Sequence, residues 1–65
     1  MDANIRDILL LTRKSFEKIR DASKVTAELL SEYGDDDERA KEACRKQNEI
    51  LVIADNGAEA LKDIA

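Results

Sequence analysis

Apolar and small side chains recur along the first half of the chain at Ile5, Leu9, Thr12, Phe16, Ile19, Ser23, Thr26, Leu30 and Tyr33. The steps alternate four and three without a slip, the spacing that lines one side of a helix in a coiled-coil seam. After an interruption at "SEYGDDDE" the alternation resumes at Ala40, Cys44, Gln47, Leu51, Ala54, Ala58, Leu61 and Ala65. Two amphipathic helices are therefore predicted, over about 3–33 and 36–64.

The second helix contains "ILVIADNG" (residues 50–57), which taken alone could pass for a buried strand. A strand needs a partner, and no other segment alternates with period two. The helical reading wins, with one alternative left open inside it. Asn56-Gly57 is a poor helix interior, and Asn56 with Glu59 could cap a fresh helix. A kink at 55–57 is expected if that cap forms.

At the interruption, Gly34 is placed to end the first helix in a left-handed conformation. Asp35 is the expected cap of the second, with Glu38 completing a capping box. Asp36 and Asp37 then add negative charge to the first turn, where the helix dipole favours it. The acidic run lacks the glycine and alternating ligands of a calcium loop, so capping rather than metal binding is expected.

The two seams fit each other as an antiparallel hairpin. Facing positions sum to 70 throughout: Ile5–Ala65, Leu9–Leu61, Thr12–Ala58, Phe16–Ala54, Ile19–Leu51, Ser23–Gln47, Thr26–Cys44 and Leu30–Ala40. Phe16 over Ala54 sets large against small. Ser23 and Gln47 bring two hydrogen-bonding groups into one layer. The fold expected is all-α, a single helical-hairpin domain over 1–65.

One flank of this seam is broadly apolar. It carries Ile8, Leu11, Ser15, Ala22, Val25 and Leu29 from the first helix, and Ala43, Ile50, Ile53, Gly57, Ala60 and Ile64 from the second. A lone hairpin cannot cover so wide a stripe, and such patches mark interfaces. Two hairpins packed face to face as a four-helix homodimer would bury it, and a helical protein partner is the alternative. Ile8, Leu11, Ala22, Val25, Leu29, Ala43, Ile50, Ile53, Gly57 and Ile64 are the candidate interface residues, with Ala43 and Gly57 allowing close helix approach.

The opposite flank is polar. Arg6, Arg13 and Arg20 recur every seven residues, with Lys24 and Lys14 nearby. Across the hairpin the register sets them against Lys62, Asp55 and Asn48, so Arg13–Asp55 is an expected salt bridge. A solvated face with local pairs such as Glu17–Arg20 and Asp21–Lys24 is the plainer reading. A basic stripe of Arg6, Arg13, Arg20 and Lys24 that tracks phosphates is the sharper one. Leu10 and Val52 stand on this side as single exposed hydrophobes.

Composition narrows the classes. Of 65 residues, 43% are hydrophobic and 40% charged, without proline and with one cysteine and no histidine, so neither an internal disulfide nor an ordinary zinc site is available. The net charge of −4 does not favour nucleic acid or an anionic membrane in bulk. No secretory leader or bilayer-length apolar run is evident, which makes a cytoplasmic location the expectation. Cys44 sits in the seam without a cation to activate it, and reads as a buried structural thiol. With no acid in the seam, no phosphate loop and no nucleophile–base pair, the inventory points away from an enzyme and calls for no cofactor.

In architecture the predicted hairpin resembles the plasmid-encoded Rop family, short hairpins that dimerise into four-helix bundles and bind paired RNA loops. It is also similar in size and shape to the two-helix chaperones of type III secretion needles. These resemblances lie in the architecture and not in matched motifs. The expectation from the residues is a non-enzymatic interaction or regulatory protein that binds through its apolar face. The Rop-like alternative is nucleic-acid binding through the basic stripe.

Overall fold

Helix α1 spans Ala3–Tyr33 and α2 spans Glu38–Ala60 in a computed structural model that describes residues 3–64. The two pack against each other along a rod 51 Å long and 14 by 13 Å across. No strand occurs among the described residues, and no described helix is long and apolar enough to cross a membrane. Helix α1 coincides with its predicted span.

The second helix differs at both ends. It begins at Glu38, because Asp37 and not Asp35 is the cap: its carboxylate accepts from the backbone N–H of Arg39 and Ala40. The chain first makes a turn in which the Asp37 N–H donates to the Gly34 carbonyl at 3.0 Å. That turn uses up Asp35 and Asp36, so the capping box with Glu38 does not form. Gly34 is required for a different reason from the one expected. It has no positive φ; instead a Cβ there would collide with the Ala40 Cβ and lie 2.9 Å from the Leu30 carbonyl oxygen. The helices cross too closely at the turn for any side chain.

The Asp37 cap makes a checkable prediction. Its backbone bond from Arg39, followed by the Arg39 side chain and the Ala40 N–H, holds the carboxyl below its ordinary pKa. A carboxyl depressed in the folded state stabilises fully above its unfolded pKa and loses that contribution as pH falls through the folded value. Asp37→Ala is therefore expected to lower thermal stability at neutral pH. The deficit should vanish in acid, where Asp37→Asn should hold its stability better than the parent. Melting curves of the three proteins across acidic pH check it.

Helix α2 runs through 55–57 without a break. It stops at Ala60, short of 64, and the chain tightens into turns, with Leu61 and Lys62 N–H donating to the carbonyls three residues back. Gly57 is tolerated inside the helix because the ring of Phe16 lies directly on it: a Cβ would sit 2.8 Å from Cδ2 and Cε2. Packing against a large aromatic surface offsets the poor helix propensity of glycine.

The seam is as read on α2 and rotated on α1. Ala40, Cys44, Gln47, Leu51, Ala54, Ala58 and Leu61 are all buried or half-buried, and Leu9, Phe16, Ser23 and Leu30 face them. Between those α1 positions, however, the inward residues are Arg13, Arg20, Ala27 and Gly34. Ile19, Thr26 and Tyr33 are exposed; Thr12 stays half-buried beside Arg13. The shift lets the small Ala27 approach α2, where the Cys44 thiol donates to its carbonyl at 3.5 Å. Thr26, turned out, donates its hydroxyl to the Ala22 carbonyl instead. Ser23 and Gln47 are both inside, but no hydrogen bond between them is formed. The pairing of Ile5 with Ala65 involves a residue outside those described.

Candidate functional site

Small residues hold the most buried positions, Leu9, Phe16, Leu30, Leu51 and Leu61 are half-buried along the seam, and many other large apolar side chains are exposed. The buried hydrophobic residues are Ala27, Ala54 and Ala58, and no large side chain is fully buried. By contrast Leu11 and Ile53 are each 67% exposed, Ile8 61% and Val25 55%. Ile5, Ile19, Leu29 and Ile50 are also exposed. On α1 these positions recur at helical spacing, so they form one stripe, and Ile50 with Ile53 continues it onto α2. The rotation of α1 widens this stripe by adding Ile19.

Not every predicted interface residue reaches that face. Ile8, Leu11, Ala22, Val25, Leu29, Ile50 and Ile53 are exposed, Ala43 half so. Gly57 is spent inside the hairpin beneath Phe16. Ile64 lies beyond the end of α2, half-buried, with its carbonyl accepting a hydrogen bond. Ile5 and Ile19 belong to the face although the seam pattern had claimed them. Spacing alone could not have found them, because Arg13, Arg20 and Ala27 give an equally regular alternation with Leu9, Phe16 and Ser23.

The basic flank has another arrangement than its heptad spacing suggests. Arg13 does not meet Asp55. Its Nη1 donates to the carbonyls of Leu61, Lys62 and Ile64, at 3.4, 3.4 and 2.5 Å. These carbonyls lie in the turns just past the end of α2, where that of Leu61 also accepts from the Ile64 N–H, and a cation there suits the helix dipole. Asp55 instead faces Arg20, 3.6 Å away, while Arg20 Nε bonds Asp21 at 3.0 Å. The hydrogen bond that Arg20 donates to Asp21, then the Asp21 charge, raises the Arg20 pKa further. Arg20 takes these two acids, and the local pairs Glu17–Arg20 and Asp21–Lys24 are not formed. Arg6 has an interaction partner of its own. Lys24 is exposed and makes no ion pair with the described residues.

Replacing Arg13 by methionine keeps the stem and removes the donors. The expected result is a loss of about 1 kcal/mol, near the worth of one to two ordinary hydrogen bonds at a partly exposed site. Amide exchange should accelerate at residues 61–64 and stay unchanged at 40–50, which hydrogen-exchange NMR resolves.

A groove of about 690 Å³ opens between the helices on this polar side, with Ala27, Cys44 and Leu51 among its lining and Arg20, Lys24, Asn48 and Asp55 around them. Asn48 donates to the Cys44 carbonyl at 3.1 Å. Leu10 is half-buried rather than exposed, whereas Val52 stands out as expected. The outer side of α2 is laced by Arg45, which bonds Glu42 and Glu49. No group of metal-ligating side chains occurs among the described residues. The exposed surface is dominated by one broad apolar face.

No family model, curated protein or solved structure matches the chain.

Proposed function

We propose that the protein is a non-enzymatic interaction or regulatory module that works as a homodimer, two hairpins meeting through the apolar face to make a four-helix bundle. The observation that carries this reading is the exposure of Ile8, Leu11, Val25, Ile50 and Ile53 on one face, while the seam residues of comparable size are only half-buried. The accessible surface of 4957 Å² expresses the same point for a chain of 7.3 kDa. A folded monomer of that mass exposes about 4200 Å². The excess, about 800 Å², is what each partner hides in a standard specific interface.

Face-to-face packing by a two-fold axis needs only one patch, because the same surface serves both copies. It places the leucines and isoleucines of one hairpin between those of the other. The polar flanks, with Arg20–Asp55 and the Arg45 pairs, then remain in water. Those flanks are the surfaces left for other macromolecules once the dimer has formed.

Sedimentation equilibrium at micromolar concentration tests the reading. Twice the chain mass is the expected result. A folded species of single-chain mass throughout the range overturns the homodimer and assigns the face to a helical protein partner.

A further inference from the structure

Resting on the self-association proposed above, we infer that the apolar face is also a folding surface: the hairpin acquires its structure only together with its second copy. The argument comes from what one chain can bury by itself. An unfolded chain of 7.3 kDa exposes about 10,600 Å². With 4957 Å² still exposed, the hairpin hides only about 53% of that surface. Even marginal domains near this size bury about 60%. Hiding a further 800 Å² or so per chain in a dimer brings the fraction to about 61%, the ordinary value.

The quality of the buried surface points the same way. Among the described residues the buried hydrophobic positions are Ala27, Ala54 and Ala58, whose side chains release little apolar area, and the larger seam residues Leu9, Phe16, Leu30, Leu51 and Leu61 are only half-buried. No disulfide supplements it, since Cys44 is the only cysteine and is free. Nor do the remaining cross-hairpin interactions. Arg20–Asp55 is partly exposed, with its charged atoms 3.6 Å apart, and solvated pairs of this kind contribute little. Helix propensity does not close the gap either, because most helical stability in a protein comes from packing of the amphipathic face rather than from propensity. The residues able to contribute most, Ile8, Leu11, Val25, Leu29, Ile50 and Ile53, do so only when a second apolar surface covers them. Folding and association are then one transition, and the amount of folded protein is set by its own concentration.

The test follows helical signal and mass together on dilution. Far-UV circular dichroism and sedimentation are measured across the same concentration series, beside a tandem chain in which a flexible Gly/Ser linker joins two hairpins. The linker keeps the second copy at high effective concentration however dilute the solution. The separate chains are expected to lose most of their helical signal in step with dissociation, while the tandem chain keeps it. Dissociation into hairpins that stay helical overturns the inference and leaves the dimer standing. A helical species of single-chain mass at every concentration overturns both.

Discussion

A double variant carrying Leu11→Glu and Ile53→Glu is expected to sediment at the mass of a single chain where the parent sediments as a dimer. Glutamate is chosen because it keeps helix propensity close to that of the residues it replaces, so that any loss of helical signal reports lost association rather than local propensity. Both positions are 67% exposed in the single hairpin. On a monomer, surface changes of this kind stay within about 0.5 kcal/mol. In a two-fold dimer each side chain enters the interface twice. Losing the burial of one leucine or isoleucine costs about 1.5–3 kcal/mol, and a carboxylate taken out of water without a partner adds several more. The dissociation constant should therefore rise by at least about a thousandfold, which corresponds to about 4 kcal/mol.

The control is Val52→Glu. Val52 is more than half exposed and borders a shallow depression with Ile53. At about 100° per residue it nevertheless turns away from the stripe of Ile50 and Ile53, so mass and helicity should not change. Equal effects at Val52 and at the two face residues would mean that general hydrophobicity, not the stripe, drives association. A double variant that remains dimeric would remove the face from consideration.

The second large effect concerns Gly57. In an open helix, Gly→Ala stabilises by about 0.8–1.0 kcal/mol. Here the added methyl would meet the Phe16 ring at 2.8 Å, too close for a real Cβ. Overpacking a fitted contact costs about 1–3 kcal/mol. The cost wins, and Gly57→Ala should lower stability by about 1 kcal/mol, a shift of about 4–8 °C in melting temperature for a domain of this size. In a Phe16→Leu background the ring is gone and the sign should reverse, because only the propensity gain remains. The double-mutant cycle thus reads a coupling between residues far apart in sequence. A stabilising Gly57→Ala in the parent would show that the ring does not rest on the glycine.

Phe16 and Gly57 also mark the limit of what periodicity resolves. The pattern set Phe16 over Ala54, one helical turn away from the glycine it meets. Asn56-Gly57 looked like a weak point from local propensity alone, and the ring makes it a contact. The Arg13–Asp55 bridge fails for the same reason: register arithmetic places Cα positions, while a long side chain chooses among several partners within reach. Arg13 takes three carbonyls at the end of α2, and Arg20 takes the aspartate. The apolar face was legible in outline, since its residues stand out at helical spacing without reference to the partner helix.

Local chemistry was sufficient for two helices, the position of the turn, the seam of α2 and the existence of a wide apolar face. Each rests on a repeat carried through many residues, so no single neighbour can overturn it. Three choices were left to the tertiary structure: whether Thr12 or Arg13, Ile19 or Arg20, Thr26 or Ala27 turns inward on α1. Members of each pair are adjacent in sequence, and either set alternates threes and fours with Leu9, Phe16, Ser23 and Leu30. Fit against α2 decided between them. Ala27 lets the helices approach, and arginine stems can lie along the contact while their charged heads reach carbonyls or acids at its edge. Ile19 is thereby turned outward onto the face that we propose a second copy covers.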